Sequence, residues 1–327
     1  MQSTSKPVYG PLRRPHSNCM TSFGNLPLRI ASYLVRPMRW TYWAIRRIAL
    51  GQAQRWRLVS GKFYMQIDPR DPMDRSFYFG AYEQHLVRLI AATVRPGDVC
   101  IDVGAQKGFI TSHLAVAVGP GGQVMAFEPD PRAMQALASN VRRNGFEQVK
   151  PFACALGDCD GACEFVLSRQ LGWSSRFPNE AAQAVVASTT SVCTRRLDDV
   201  LAEAGVRPET HRLSFLKIDA EGSEPLILPG ARETIERFRP AIHIEVNKAS
   251  LRAGGFGTDS IESLLRSLDY ELFAISFRRS GWLLQHRLCL TRVASLASDI
   301  QDFQDVLAVS PRSLARGTLS GWLTRSA

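Results

Sequence analysis

From residue 81 onward, short apolar runs alternate along the chain with longer segments in which apolar residues recur at helical spacing. The short runs are bounded by turn residues and predict buried strands. These strands cover residues 99–103, 124–127, 149–156, 213–218, 242–246, 271–276 and 305–309. The longer segments predict helices over residues 82–94, 109–118, 131–144 and 231–238. Strands that alternate with helices indicate an α/β fold with a doubly wound, mostly parallel sheet.

Right-handed crossovers in such a fold bring the C-terminal ends of the parallel strands to one edge of the sheet, where ligands bind. Residues 157–200 interrupt the regular alternation. Within them, residues 163–167 and 191–197 are predicted to pair as strands, and residues 172–175 to form a loop over the ligand site. Long loops inside compact domains are often functional.

The first predicted core strand runs into a turn that contains two glycines. Asp102 lies just before Gly104, and Ala105 and Gln106 lead on to Gly108. Glycines let the backbone approach a ligand closely, and the helix that follows offers free N–H groups. The spacing is GxxxG and differs from the GxGxxG of dinucleotide sites. A carboxylate beside such a loop suits a cationic ligand, and a loop with fewer glycines suits one without a diphosphate.

The next two strand ends carry side chains that suit an adenosine group. Glu128, followed by Pro129, ends the second strand, where a carboxylate can accept hydrogen bonds from both ribose hydroxyls. Ala155 and Leu156 end the third strand and can flank an adenine ring, with Asp158 near its amino group. Three successive strand ends therefore predict an adenosine-containing cofactor.

Several segments of the chain resemble the FkbM family of methyltransferases. They are residues 80–83, 101–108, 127–130, 155–158, 197–200 and 217–224, with Asn140, Asn144, Gly145, Gly230 and Glu245. The resemblance covers roughly residues 75–310, and the Lys-Ile-Asp-Ala-Glu-Gly-Ser-Glu run at 217–224 makes it more specific than a general methyltransferase match. Gln106 departs from the pattern, because the family usually has Asn there.

The resemblance implies a class I methyltransferase, Rossmann-like, with a seven-stranded sheet whose last strand is antiparallel. It implies S-adenosylmethionine as the cofactor and O-methylation of a hydroxyl on a saccharide, a glycolipid or another natural product. The chain is accordingly divided into a basic, partly helical arm (1–60), a methyltransferase domain (61–310) and a C-terminal tail (311–327). Two alternatives remain open: a nicotinamide-dependent oxidoreductase, and a membrane-associated binding protein whose methyltransferase fold has lost activity.

Methyl transfer requires an aligned hydroxyl and a group that removes its proton. Asp219, at the C-terminal end of the fourth strand, is the predicted base, and Glu221, Lys217 and Glu245 complete the predicted catalytic group.

Other side chains near this edge have simpler interpretations. Glu224 can begin the next helix, and His243 is predicted to be a core histidine. Tyr82 and Glu83 are placed at the mouth of the pocket. Asp219, Glu221 and Glu245 are able to gather a divalent cation, but no metal site is assigned because no histidine or further certain ligand joins them.

The net charge of +10 comes from 40 basic and 30 acidic residues. Residues 1–60 hold ten basic residues and no acidic one, so the rest of the chain is balanced. This segregation argues against a protein that coats nucleic acid. In residues 26–58, arginines alternate with large apolar residues, including tryptophans at 40, 43 and 56. Three interpretations stay open: peripheral contact with an anionic membrane, nucleic-acid contact, or a helical extension with solvated arginines.

No apolar stretch reaches eighteen residues, and no signal peptide is recognised. The seven cysteines include no CxxC pair and are expected to be free thiols in a reducing compartment. We therefore expect a cytoplasmic protein, with any membrane contact at the inner face.

Overall fold

The computed structural model describes residues 54–280, 285–314 and 319–323. The predicted membrane-contacting segment at 26–58 lies almost wholly outside these residues, as does Cys19. The six described cysteines are free thiols. Within the described ranges, none of the helices combines the length and the apolar character needed to span a bilayer.

The described strands are β1 (Arg55–Val59), β2 (Phe63–Ile67), β3 (Val99–Val103), β4 (Gln123–Phe127), β5 (Val149–Phe152), β6 (Ala155–Leu156), β7 (Gly161–Ser168), β8 (Val186–Arg195), β9 (Leu213–Ile218), β10 (Ala241–Asn247), β11 (Glu271–Ser280), β12 (Gln285–Val293) and β13 (Phe303–Val309).

The described α-helices are α1 (Pro72–Tyr78), α2 (Gln84–Thr93), α3 (Phe109–Val118), α4 (Pro131–Asn144), α5 (Glu180–Gln183), α6 (Leu197–Glu203), α7 (Glu224–Gly230), α8 (Arg232–Phe238), α9 (Lys248–Ala253), α10 (Asp259–Ser267), α11 (Leu296–Asp299) and α12 (Pro311–Leu314).

The central sheet has the strand order β12-β11-β13-β10-β9-β3-β4-β5. The strands β5, β4, β3, β9 and β10 run parallel, and β13 is antiparallel to both of its neighbours. This confirms the doubly wound class I methyltransferase fold. The sheet has eight strands instead of the expected seven. The additional strand, β12, forms a hairpin with β11 at the edge of the sheet. It was not predicted, because polar residues alternate with apolar ones along it and leave no continuous apolar run.

The strand predicted over residues 149–156 is two strands in different sheets. Its first half, β5, is the edge of the central sheet, whereas β6 pairs with β8 in a three-stranded sheet of order β6-β8-β7. The predicted pairing of residues 163–167 with residues 191–197 is present as the longer β7–β8 hairpin, although residues 196 and 197 lie beyond β8. The residues of this segment do not reveal the change of hydrogen-bonding partner, because the partner strands β4 and β8 lie elsewhere along the chain.

A β1–β2 hairpin precedes the core and was not predicted. The boundary drawn after residue 60 falls in its turn. Two side chains of α4 attach β2 to the domain: Asn144 exchanges hydrogen bonds with both backbone groups of Tyr64, and Asn140 accepts one from Gln66 N. Asn140 also donates to Lys107 O, at 2.7 Å, so α4 supports the glycine loop as well.

Helix α4 begins and ends where the sequence predicts. The Asp130 side chain caps its first turn by accepting from Arg132 N, and Pro131 occupies the first helical position. Gly145 ends the helix in the left-handed conformation, with φ of 61°.

The central strands β3 and β9 are buried at every position, because helices cover both faces of the sheet. The C-terminal ends of β3, β4, β9 and β10 therefore share one accessible edge.

Candidate active site

A pocket of about 710 Å³ opens at the C-terminal edge of the central sheet. Its walls come from the ends of β3, β4, β6 and β9 and from the loop that follows β7. Six predicted cofactor residues line it: Gly104, Gln106, Glu128, Pro129, Ala155 and Leu156. Phe127, Phe165 and Ile227 add apolar walls.

Glu128 lies at the bottom of this pocket and is 5% exposed. One carboxylate oxygen accepts from Gln106 N and the other from Asp130 N, both at 2.8 Å. Each oxygen has a second lone pair, so the carboxylate can still accept two hydroxyl donors. Burial raises the pKa of Glu128 to about 7, although these backbone donors oppose the shift. The arrangement fits the two ribose hydroxyls of an adenosine group.

Gly104 is required by the packing between two strand ends. Its φ is +73°, and a Cβ atom at this position would lie 1.9 Å from the carbonyl oxygen of Asp219. Gly104 N and Ala105 N both donate to Phe127 O at 3.0 Å, which fixes the loop against β4. Gly108 is the N-cap of α3 and lies outside the pocket lining. A Cβ atom added at Gly108 would lie 2.5 Å from the Leu137 side chain.

Asp102 is fully buried and does not line the pocket. Its Oδ2 accepts from the Thr111 hydroxyl at 2.6 Å, and its Oδ1 lies 3.4 Å from Lys217 Nζ. Asp158 is exposed and also lies outside the lining. The reason is the change of sheet at β6: Gly157 N bonds to Arg195 O, and the chain then turns away toward β7. Of the residues predicted to bind the cofactor, Asp102 and Asp158 are thus not among those that line this pocket.

Lys217 is buried between two carboxylates at the end of β9. Its ammonium group lies 3.1 Å from Asp219 Oδ2 and donates to Gly104 O at 2.9 Å. Burial would lower the pKa of Lys217, but the charges of Asp219 and Asp102 outweigh it and raise that pKa. Lys217 thus joins β3 to β9 and orients Asp219, which lines the pocket.

Asp219, Glu221 and Glu245 form a compact carboxylate group, with one oxygen from each within 4.8 Å of the others. Glu221 also lines the pocket, and its backbone is left-handed with φ of 49°. Burial, together with Asp219 and Glu224, raises the pKa of Glu221 to about 8. Burial and the charges of Asp219 and Glu221 raise the pKa of Glu245 well above its usual value. The raised pKa of Glu221 favours its protonated form near neutral pH.

Glu224 organises the turn that carries these groups. It begins α7, is 1% exposed, and accepts hydrogen bonds from Ala220 N and Gly222 N.

Tyr82 and Glu83 line an adjoining cavity of about 290 Å³ together with Gly104 and Lys217. His243 is buried, and its Nε2 bonds to Asp305 Oδ1 at 2.9 Å.

The loop after β7 closes one side of the pocket through Gly172, Ser174 and Arg176. The Ser174 hydroxyl donates to Asp130 Oδ2 at 2.8 Å and accepts from Ser168 N at 3.0 Å. The sequence predicted this loop over the ligand site but not the Asp130 contact, because serine and aspartate carry no signal of pairing across 44 positions.

A family model described as "Methyltransferase FkbM domain" matches residues 102–272, which is more than half of the chain. The chain belongs to this family and is an S-adenosylmethionine-dependent methyltransferase. The match places it with methyltransferases and not with nicotinamide-dependent oxidoreductases.

Two curated relatives illustrate the family. The 2-O-methyltransferase NoeI of Sinorhizobium fredii (strain NBRC 101917 / NGR234) is 27% identical over 56% of this chain and 76% of that protein. The 31-O-demethyl-FK506 methyltransferase FkbM of Streptomyces tacrolimicus is 32% identical over 46% of this chain and 64% of that protein. Among solved structures, methyltransferase FkbM from Methylobacillus flagellatus KT aligns over 72% of this chain and 54% of that chain, with 17% identity and a TM-score of 0.38.

Proposed function

We propose that this methyltransferase O-methylates a hydroxyl of a small polyhydroxylated acceptor, such as a saccharide, a glycolipid or a related natural product. The observation that carries the proposal is a second cavity of about 580 Å³, which shares Glu221 with the cofactor pocket. Its lining combines aromatic and small polar side chains: Trp173, Phe303, Ser175, Asn179, Asn247 and Ser250. Aromatic faces with amide and hydroxyl groups suit a ring that carries several hydroxyls. NoeI is named as a 2-O-methyltransferase, and FkbM is named as a 31-O-demethyl-FK506 methyltransferase.

S-adenosylmethionine, when bound, supplies an electrophilic methyl group on a sulfonium. In the proposed roles, Glu128 accepts the ribose hydroxyls, while Gly104, Ala105, Gln106 and Pro129 shape the loop around the cofactor. Ala155 and Leu156 provide the apolar wall for adenine.

Asp219 is the proposed base that takes the proton of the acceptor hydroxyl, because it lines the pocket and Lys217 holds its carboxylate in place. Glu221, whose raised pKa favours the protonated form near neutral pH, donates a hydrogen bond to the acceptor and leaves proton removal to Asp219. Glu245 completes the carboxylate wall.

Transfer of labelled methyl groups tests both the acceptor class and the role of Asp219. We expect label in saccharide or glycolipid fractions, held as methyl ethers that withstand mild alkali. Alkali-labile methyl esters, or label in polypeptide alone, would exclude the proposed acceptor class.

Asp219→Asn keeps the volume of the side chain and removes its basicity. We expect S-adenosylmethionine affinity to stay within a few-fold and turnover to fall by about 10²–10⁴. The exposed Asp299→Asn variant serves as the control. Loss of cofactor binding in Asp219→Asn would assign Asp219 to the cofactor and not to the acceptor.

Peripheral membrane contact through residues 26–58 is a second part of the proposal, favoured by the confinement of the excess positive charge to residues 1–60.

A further inference from the structure

Beside the carboxylate group, four side chains from three separate elements meet at one face of the central sheet. His243 lies on β10, and Asp305 lies on β13 directly opposite Glu245. Because His243 and Glu245 are two positions apart on one strand, all three point to the same face. Glu83, the N-cap residue of α2, and His85, in the first turn of that helix, approach this face.

The nitrogen and oxygen atoms of this group lie close together. His243 Nε2 is 2.9 Å from Asp305 Oδ1, and His85 Nε2 is 3.2 Å from Asp305 Oδ2. His85 Nε2 is also 3.0 Å from Glu83 Oε2. Ligands of a tetrahedral ion at 2.0–2.2 Å lie about 3.3–3.6 Å from one another. One ligand atom from each of His85, His243 and Asp305 lies within 4.8 Å of the other two, which is close to the spacing that a metal ion requires.

Two of these atoms are buried without a hydrogen bond. His85 Nε2 and Glu83 Oε2 have no partner of acceptable geometry, although they lie 3.0 Å apart. His85 is 8% exposed and His243 is 1% exposed. Buried polar atoms whose hydrogen bonds are poorly aligned cost free energy, and a coordinated cation would engage both atoms at once.

We propose that His85, His243 and Asp305, with Glu83 as the fourth ligand, bind a divalent first-row transition metal ion such as Zn²⁺. Two imidazole nitrogens and carboxylate oxygens suit Zn²⁺ and its neighbours, whereas Mg²⁺ and Ca²⁺ prefer oxygen ligands throughout. The ion joins the start of α2 to β10 and β13, next to the wall that contains Glu245. This site is distinct from Asp219, Glu221 and Glu245, and it does not depend on the proposed acceptor.

A proton competes with the metal ion for His85. Burial would lower the pKa of His85, but Asp305 and Glu83 outweigh it and raise that pKa to about 10. The alternative arrangement is therefore a protonated His85 held between two carboxylates.

Titration of the full-length chain with metal separates these two arrangements. After dialysis against a chelator, the protein is titrated with Zn²⁺ by calorimetry and with Co²⁺ by visible absorption, which reports nitrogen and oxygen coordination. We expect one equivalent of either ion to bind. His85→Ala, His243→Asn and Asp305→Asn should each weaken binding at least about 100-fold. His211→Ala, at the N-terminal end of β9, should bind as the unaltered chain does.

S-adenosylmethionine binding and circular dichroism check that each variant folds. If His243→Asn does not fold, His85→Ala and Glu83→Gln still test the site, because both residues lie at the start of a helix. Failure of the unaltered chain to bind either ion overturns the proposal and leaves the protonated pair. Loss of binding in Glu221→Gln but not in His85→Ala also overturns it, because the ion would then lie at the carboxylate group.

Discussion

At the scale of single residues, the site depends on groups that are already partly engaged by the protein. Both oxygens of Glu128 hold backbone N–H groups, and the Lys217 ammonium holds Asp219 and the carbonyl of Gly104. These contacts fix the side chains before a ligand arrives, so little rotamer freedom remains to be lost on binding.

The raised pKa of Glu128 predicts a pH-dependent affinity. With a pKa of about 7, the side chain is protonated in acid and must release its proton before it accepts two hydroxyls. We expect S-adenosylmethionine affinity to fall as pH drops below 7, approaching tenfold per pH unit. Calorimetry between about pH 5.5 and pH 8.5 measures this.

Glu128→Gln should remove that pH dependence and weaken binding at high pH by about 1.5–3 kcal/mol, because a hydrogen-bond partner loses its charge. The exposed Glu147→Gln variant is the matched control. An affinity of the unaltered chain that does not change over this pH range would mean that Glu128 does not accept the ribose hydroxyls.

Two glycines with similar φ but different surroundings separate backbone strain from close packing. An added Cβ at Gly104 meets Asp219 O at 1.9 Å, whereas one at Gly145 meets nothing within 4 Å. Gly145→Ala should cost about 1 kcal/mol, from its positive φ alone. Gly104→Ala adds a backbone collision and should cost at least about 1–3 kcal/mol more. Urea denaturation measures both, and equal losses would show that the loop shifts freely.

At the scale of elements, the β7–β8 hairpin and its loop decide how the pocket is covered. Three of the lining residues lie in this loop, and the Ser174 hydroxyl connects it to the N-cap of α4. Asp130 therefore serves two elements. It caps α4 and holds the loop, and Arg132 and Ser174 outweigh the effect of burial and lower its pKa.

Ser174→Ala should loosen the loop without unfolding the domain. Removing the hydroxyl breaks the bond to Asp130 and leaves Ser168 N without this acceptor. We expect S-adenosylmethionine to dissociate several-fold faster and the free energy of unfolding to fall by about 1 kcal/mol. Stopped-flow displacement measures the dissociation rate. Ser188→Ala, exposed on β8, is the control, and equal rates in both variants would mean that the loop does not retain the cofactor.

At the scale of the whole molecule, charge is divided between a basic N-terminal segment and a balanced remainder. Residues 38–50 have helical spacing of apolar and basic positions, which predicts a helix with Arg39, Arg46 and Arg47 on one side. Each basic residue near an anionic surface contributes about 1 kcal/mol. Replacing all three by Gln should therefore weaken binding to anionic vesicles by about 100-fold.

Vesicle sedimentation in low salt tests this expectation. Replacing three exposed arginines of the domain, Arg207, Arg232 and Arg252, by Gln changes the net charge equally and is the control. If both triple variants lose binding equally, the attraction depends on net charge and not on the N-terminal segment.

The order of the elements, the ligand edge and the glycine loop all follow from local patterns. Apolar runs and helical spacing depend on near neighbours, and the loop at 104–108 and Glu128 follow their strands directly. For this reason the predicted bounds of β3, α3, α4 and β9 agree with the structure. The alternating strand β12 was missed because it contains no continuous apolar run. The division between β5 and β6 was missed because β6 pairs with β8, which lies far along the chain.

The sequence by itself determined the class of fold, and it predicted the edge of the sheet at which the pocket lies and the carboxylate of Glu128 that lines it. Only the tertiary structure decided where the other charged groups point. It turned Asp102 toward Lys217 and Thr111, left Asp158 exposed, and brought His85 and His243 to Asp305. The direction of a side chain depends on what packs against it, and these partners come from elements that meet only when the sheet is assembled.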